Sequence, residues 1–451
     1  MEKTIEKKYL VPFILITSLF LLWGIANNMT DTLLAAFKRI MSMTDAQTSL
    51  IQFAFYGSYF CFALPAALYI KKKNYKSGVL LGLLLYACGA ILFYPASQLA
   101  SYSFYLIAIY ILAGGCSILE TTANPYILSM GSPATATRRL NIAQAFNPLG
   151  SITGILLSMF FILGELNSAN ATDRAVMSKE QLEALQAHEL GAVTGTYMTL
   201  GFVLLLVMVL MLIAKMPKGG DNDHSINLKP TFKRLIANKK YSYGVLAQFF
   251  YVGAQIGVWS FTIRIVMQET TVIQGIQHFC QGIFSTETFG LVASTAEQTG
   301  ASLYLCSIIC FSIARFIFTW LMKYIRPSKL LAIAAVGDIL CTIVVVLSDG
   351  SGWLLVSFLI GISFFMSLMF PTIYGIALDG LGDDAKIGAS GLIMAILGGA
   401  LITPLQGKVS DIFGINIAYL VPMLCFVAVL LYAIYIVKCE KNTLCPHTNK
   451  N

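Results

Sequence analysis

The chain has 451 residues, of which 57% are apolar and only 12% charged. A water-soluble chain of this length carries about twice that charged fraction, so a soluble globular fold is excluded. The formal net charge of +8 comes from basic residues scattered between apolar runs, and no nucleic-acid partner is expected.

Apolar runs of about 18 or more residues recur along the chain, each long enough to cross a hydrocarbon core of about 30 Å as a helix. They lack the dyad alternation of barrel strands, which leaves α-helices. Twelve spans are predicted, at roughly 11–36, 47–70, 77–96, 103–130, 140–163, 192–216, 242–268, 300–323, 330–348, 353–379, 387–408 and 417–438. Lys7 and Lys8 precede the first run, which continues to about Phe37 without a small-residue cleavage site. It is therefore a span and not a removable signal.

In the first span Trp23, Asn27 and Asp31 recur at i, i+4, i+8, with Asn28 three before Asp31. They form one helical stripe. The second span carries Gln52, Tyr56 and Tyr59; the fourth carries Glu120 and Asn124 at i, i+4, beside Thr121; the fifth carries Asn141, Gln144 and Asn147 at a spacing of three. Pro217 to Lys240 is polar and basic and divides six spans from six. The seventh span adds Gln248, Tyr251, Gln255 and Trp259, and Arg264 offers it an early end before an outer loop that runs to about Ser302. Spans 10 and 11 supply mainly Phe364, Phe365, Met366, Phe370 and Met394.

With the N-terminus inside, 23 Lys/Arg residues fall in inner segments and five in outer ones, with Arg264 and Arg315 within spans. That bias predicts two cytoplasmic termini. The expected division is 1–216 for an N-terminal six-helix half, 217–240 for a cytoplasmic linker, 241–440 for a C-terminal half and 441–451 for a cytoplasmic tail. Asn124-Pro125-Tyr126-Ile127 matches Phe370-Pro371-Thr372-Ile373, and Leu149-Gly150 matches Leu397-Gly398. These echoes suggest two repeats about an axis along the membrane normal, the major facilitator architecture, in which substrate binds between the halves. Pro125, Pro371, Pro404, Gly150, Gly398 and Gly399 are positions where the helices could bend.

An ionisable group in hydrocarbon costs about 2.5–3.5 kcal/mol on insertion scales and needs a reason. His188, His224, His278 and His447 all fall in predicted loops or the tail, so a histidine proton relay is not expected. The acids within spans are Asp31, Glu120, Asp338 and, at an inner end, Asp379. Asp338 has only Ala334 and Thr342 at i±4 and is expected to pack or pair; Arg315 is expected to serve structure or gating, with Asp379 near the cytoplasmic end as a candidate partner. An isolated polar residue in a membrane helix is often interhelical glue worth about 0.6 kcal/mol. Four polar stripes in the first half, opposite an aromatic second half, suit a ligand with hydroxyls and a C–H face, namely a sugar. A drug/proton antiporter would want a greasier cavity. No metal-ligand spacing, CxxC or nucleophile–base constellation appears, so neither an enzyme nor a cofactor is expected.

Trp23-Gly24-Ile25-Ala26-Asn27-Asn28-Met29-Thr30-Asp31 resembles the helix-1 motif of the fucose permease branch of the major facilitator superfamily. Leu119-Glu120-Thr121-Thr122-Ala123-Asn124-Pro125 resembles its helix-4 motif, Arg139 to Asn147 its helix-5 motif, and Ala247 to Gln255 the opening of its helix 7. The resemblance implies proton-coupled sugar uptake across a bacterial inner membrane by an all-α, twelve-helix monomer. It assigns proton coupling to Glu120 and Asp31, and sugar contact to Asp31, Asn28, Gln144 and Asn147. Asn27, Asn124, Gln52, Tyr56, Gln255 and Trp259 complete the candidate sugar set from the stripes. Thr30 stands where an Asn is common, and Phe370 where a Tyr can occur. Members of the branch carry L-fucose, glucose, galactose or N-acetylglucosamine; the Asn-Asn-x-x-Asp form of helix 1 favours L-fucose.

Overall fold

A computed structural model describes the chain apart from residues 1–4, 6, 42–44, 100, 163–164, 166–173, 175, 217–227, 284–295, 349–351 and 443–451. The described residues form helices: α1 Leu10–Ile40, α2 Asp45–Lys72, α3 Tyr75–Ile91, α4 Phe93–Gln98, α5 Tyr102–Ser129, α6 Ala136–Gln144, α7 Phe146–Phe161 and α8 Lys179–Ile213. They continue with α9 Leu228–Ala237, α10 Lys239–Val266, α11 Thr270–Ile283, α12 Ala296–Leu321, α13 Pro327–Leu347, α14 Trp353–Met366, α15 Met369–Leu378, α16 Ala385–Met394, α17 Leu397–Phe413, α18 Ile415–Ala418 and α19 Leu420–Asn442.

Eleven stretches among the described residues are long and apolar enough to cross a membrane. The fifth span, α6 with α7, falls outside that set, its first part Ala136–Gln144 being polar; with it the chain has twelve transmembrane helices. The break at Ala145 lies three residues before Pro148, and the break between α14 and α15 lies just before Pro371. Proline has no N–H and its ring clashes with the carbonyl four residues back, so a helix interior yields there. The third break, between α16 and α17, directly precedes Gly398 and Gly399.

Two segments differ from expectation. Helix α8 begins at Lys179 and not near 192, because Ser178 and Gln181 form a reciprocal capping box, Gln181 N–H donating to Ser178 Oγ at 3.3 Å and Ser178 N–H to Gln181 Oε1 at 3.2 Å. His188, expected in a loop, therefore lies on a helix. The expected outer loop after the seventh span contains α11, which carries the exposed His278; His224 and His447 lie outside the described residues. Arg264 does not end its helix, which continues to Val266.

By packing, the chain divides into two compact units. One comprises Met1–Arg139, Phe146–Thr231 and Leu381–Met394; the other comprises Leu140–Ala145, Phe232–Gly380 and Ala395–Asn451. In the first, α1 packs on α7, α3 on α5 and α8, and α2 on α5 and α16. In the second, α10 packs on α17 and α19, α13 on α14 and α19, and α12 on α14. The α1/α7 and α10/α17 contacts are equivalents. A methyl group at Gly150 would strike the Leu21 carbonyl oxygen, and one at Gly398 would strike that of Phe249. The repeated Leu-Gly pair thus marks a backbone-to-backbone approach in each unit that only a residue without Cβ permits.

In the first unit, Arg174 donates to both carboxylate oxygens of Glu189, at 2.8 and 2.6 Å, with both side chains buried. These bonds hold the guanidinium above its ordinary pKa.

Candidate functional site

The first-unit site starts from α1. Trp23 is buried, and its indole N–H donates to the Tyr59 hydroxyl of α2 at 2.7 Å, with the two rings stacked at 6.4 Å between centroids. Phe55, one turn earlier on α2, lies 5.4 Å from Tyr59. Tyr59 is in turn within electrostatic reach of Glu120 on α5, as is Cys116 one turn before that acid. Glu120 is only 3% exposed, and its Oε2 has no hydrogen-bond partner among the described residues. The Trp23–Tyr59 bond therefore joins spans 1 and 2, and places Tyr59 within electrostatic reach of the span-4 acid. Sequence periodicity had placed Trp23 and Tyr59 in the stripes of their spans but had not singled out the bond between them.

Asn27 and Asn28 follow Trp23 on α1 and are both half-buried. Asn28 donates to the Gly24 carbonyl at 3.2 Å, whereas the buried Oδ1 of Asn27 has no partner among the described residues. Asn147, half-buried on α7, donates to the Phe20 carbonyl at 3.3 Å and so ties α7 to α1. Asn124 is fully buried, and its amide donates to the Glu120 backbone carbonyl at 3.0 Å, one turn back on the same helix. Tyr56 is half-buried and meets Phe55 edge-on at 5.6 Å. Asp31 and Gln52 sit on α1 and α2, and their side chains lie outside the described residues.

In the second unit, Trp259 donates to Ser363 Oγ at 3.3 Å and packs edge-to-face with Phe311 and Tyr304, at 5.1 and 6.3 Å. Gln255 is half-buried one turn before it. Gln144, the last residue of α6, is buried, and its backbone carbonyl accepts from Arg315 Nη1 at 2.9 Å. Arg315 does not pair with Asp379, as charge alone had suggested. Asp379 accepts from Lys240 at 2.7 Å near the end of α15, and Arg315 is turned to backbone carbonyls.

Of the two expectations for Asp338, packing holds and pairing does not. It is fully buried, and neither carboxylate oxygen has a hydrogen-bond partner among the described residues. Gln248 and Gln406 are likewise fully buried with both amide atoms unpartnered among those residues. Gln406 was missed from sequence; its signal was a polar residue in an apolar run, facing Gly257, where a methyl group would collide with Gln406 Oε1. No group of three His, Cys, Asp or Glu side chains suited to a metal occurs among the described residues.

The family model described as Major Facilitator Superfamily matches residues 13–396. An L-fucose-proton symporter of Haemophilus influenzae is 42% identical over 443 residues, covering 95% of this chain and 97% of that protein. An L-fucose-proton symporter of Escherichia coli is 36% identical over 433 residues, covering 95% and 93%. A crystal structure of the transporter FucP in the outward conformation matches with a TM-score of 0.82 at 35% identity, covering 95% of this chain and 99% of that one. A matched family model across most of the chain, relatives aligned over nearly their full length and the same helical architecture agree: this chain belongs to the Major Facilitator Superfamily, as a member of its sugar–proton symporter branch.

Proposed function

We propose that the chain carries L-fucose into the cell together with a proton, by alternating access. The observation that carries this reading is Glu120: a buried acid whose Oε2 has no hydrogen-bond partner among the described residues, within electrostatic reach of Tyr59, which accepts from Trp23 at the head of the α1 stripe. An isolated carboxylate in an apolar interior is costly, whereas the neutral acid is tolerated. A group that must exchange a proton to change its charge in such surroundings is suited to coupling. Asp31 is proposed as the second essential acid and a direct sugar contact. Asn27, Asn28, Gln144, Asn147, Asn124, Gln52, Tyr56, Gln255 and Trp259 are proposed to bind sugar, the amides to hydroxyls and the indole to a C–H face. The names of the two symporters described above support L-fucose as the cargo.

In this reading the protein works as a monomer in the bacterial inner membrane with both termini in the cytoplasm, an orientation that the Lys/Arg bias supports. The halves 1–216 and 241–440 act as its two moving parts, joined by 217–240, with 441–451 as a tail. The test is counterflow of radiolabelled L-fucose into proteoliposomes, competed by D-glucose, D-galactose and N-acetylglucosamine. Strong self-competition by L-fucose alone is the expected result. Counterflow driven by one of the other sugars and not by L-fucose would reassign the cargo within the branch, and no sugar counterflow at all would remove the symport reading.

A further inference from the structure

We infer that Arg315 is a positioning residue for Gln144, holding the break of the fifth span in register by bonding two carbonyls whose helical i+4 donor is replaced by proline. In an α-helix the carbonyl of residue i accepts from the N–H of residue i+4. Pro148 stands four residues after Gln144, and Pro371 four residues after Ser367. Neither proline has an N–H to give. The Gln144 and Ser367 carbonyls thus cannot take the regular i+4 helical bond, and a buried carbonyl needs a donor from elsewhere.

Arg315, on α12, meets both. Its Nε donates to the Ser367 carbonyl at 2.6 Å and its Nη1 to the Gln144 carbonyl at 2.9 Å. The side chain is 3% exposed. Its Cζ lies 4.6 Å from the centre of the Phe311 ring, one turn back on α12, a cation–π contact that offsets part of the cost of burial. Neighbouring bonds close the same joint. The Tyr251 hydroxyl donates to the Met366 carbonyl at 3.1 Å, and Asn141 donates to Thr372 Oγ1 at 3.3 Å. Phe311 also meets Trp259 edge-on at 5.1 Å, so a single train of side chains runs from Trp259 to the end of α6. Only a planar guanidinium carries donors in a rigid fork that can reach two carbonyls on separate segments; a lysine ammonium is a compact point charge on a flexible stem.

This inference rests on the reading of Gln144 as a sugar contact, and the test separates the two. Gln144→Ala removes the side-chain amide and keeps the backbone carbonyl on which Arg315 acts. Purified full-length Arg315→Lys, Arg315→Ala, Gln144→Ala and the Arg315→Lys/Gln144→Ala double variant are titrated with L-fucose by tryptophan fluorescence, after size-exclusion chromatography. Arg315→Lys is expected to weaken binding by about tenfold, and Arg315→Ala by more. The double variant is expected to bind no more weakly than Gln144→Ala alone, since Arg315 acts through that residue. Losses that multiply, or wild-type affinity in both Arg315 variants, overturn the inference. Wild-type affinity in Gln144→Ala removes the reading of Gln144 itself, and the inference with it. Should the Arg315 variants aggregate, adding Pro148→Ala and Pro371→Ala returns an N–H to each carbonyl. Recovery of a monodisperse protein supports the two-carbonyl role, and persistent aggregation overturns it.

Discussion

Each unit hides an acid in the middle of a helix, and the two acids are alike by burial alone. Glu120 on α5 is 3% exposed with Oε2 unpartnered, and Asp338 on α13 is fully buried with both oxygens unpartnered among the described residues. Their neighbours differ. Glu120 is within reach of Tyr59, whose hydroxyl accepts from Trp23, and Trp23 begins a stripe that continues through the half-buried Asn27 and Asn28. Asp338 is within reach of Tyr251 and Cys341, both buried, and Tyr251 spends its hydroxyl on the Met366 carbonyl. Burial of an acid therefore does not by itself identify a coupling group. Continuity with polar groups that a ligand or water can touch is the distinguishing feature.

The sharpest way to break this comparison is at the acid of the stripe itself. Asp31→Ala is expected to abolish detectable L-fucose binding in a calorimetric titration, because a carboxylate bond to a hydroxyl is charge-assisted and stronger than a neutral one. Wild-type affinity there would place the sugar elsewhere. Next in size are the amides. Gln144→Ala and Asn147→Ala should each weaken binding by about 1–3 kcal/mol, since a hydroxyl or its partner is left unpaired; affinities of the two variants by the same titration check this. Asn147 also ties α7 to α1 through the Phe20 carbonyl, so its variant needs a parallel melting curve. The smallest effect belongs to the second unit. Asp338→Asn keeps the shape of a neutral acid, and affinity close to wild type is expected, because Asp338 belongs to no polar stripe. A larger loss at Asp338 than at Asp31 would invert the comparison.

Stability supplies a control apart from transport. Arg174→Ala leaves Glu189 as an uncompensated buried charge, which typically costs about 3–5 kcal/mol. A clear drop in melting temperature with sugar affinity preserved at low temperature is the expected outcome, and an unchanged melting temperature would contradict the burial of the pair.

The helices were legible in the sequence because a membrane helix must be apolar along its whole length, and the polar stripes were legible because 3.6-residue periodicity survives in such a helix. What escaped has identifiable physical causes. The start of α8 lies in a polar stretch that a hydropathy window passes over, although Ser178-Lys179-Glu180-Gln181 carried the capping signal. Arg315 was matched to an acid because charge bookkeeping looks for charges. Its partners are carbonyls, and the residues that freed them, Pro148 and Pro371, lie far apart in sequence. That Asp338 and Gln406 find no hydrogen-bond partner among the described residues depends on which side chains surround them in space, which spacing along one helix does not encode.

The central claim is that Glu120, and not Asp338, couples sugar to protons. The direct measurement compares Glu120→Gln and Asp338→Asn in proteoliposomes, scoring L-fucose exchange at equal pH and uphill accumulation on an imposed proton gradient. Glutamine reproduces the neutral acid, so Glu120→Gln should exchange sugar and fail to accumulate it, while Asp338→Asn should do both. Accumulation by Glu120→Gln, or its loss in Asp338→Asn alone, would contradict the account.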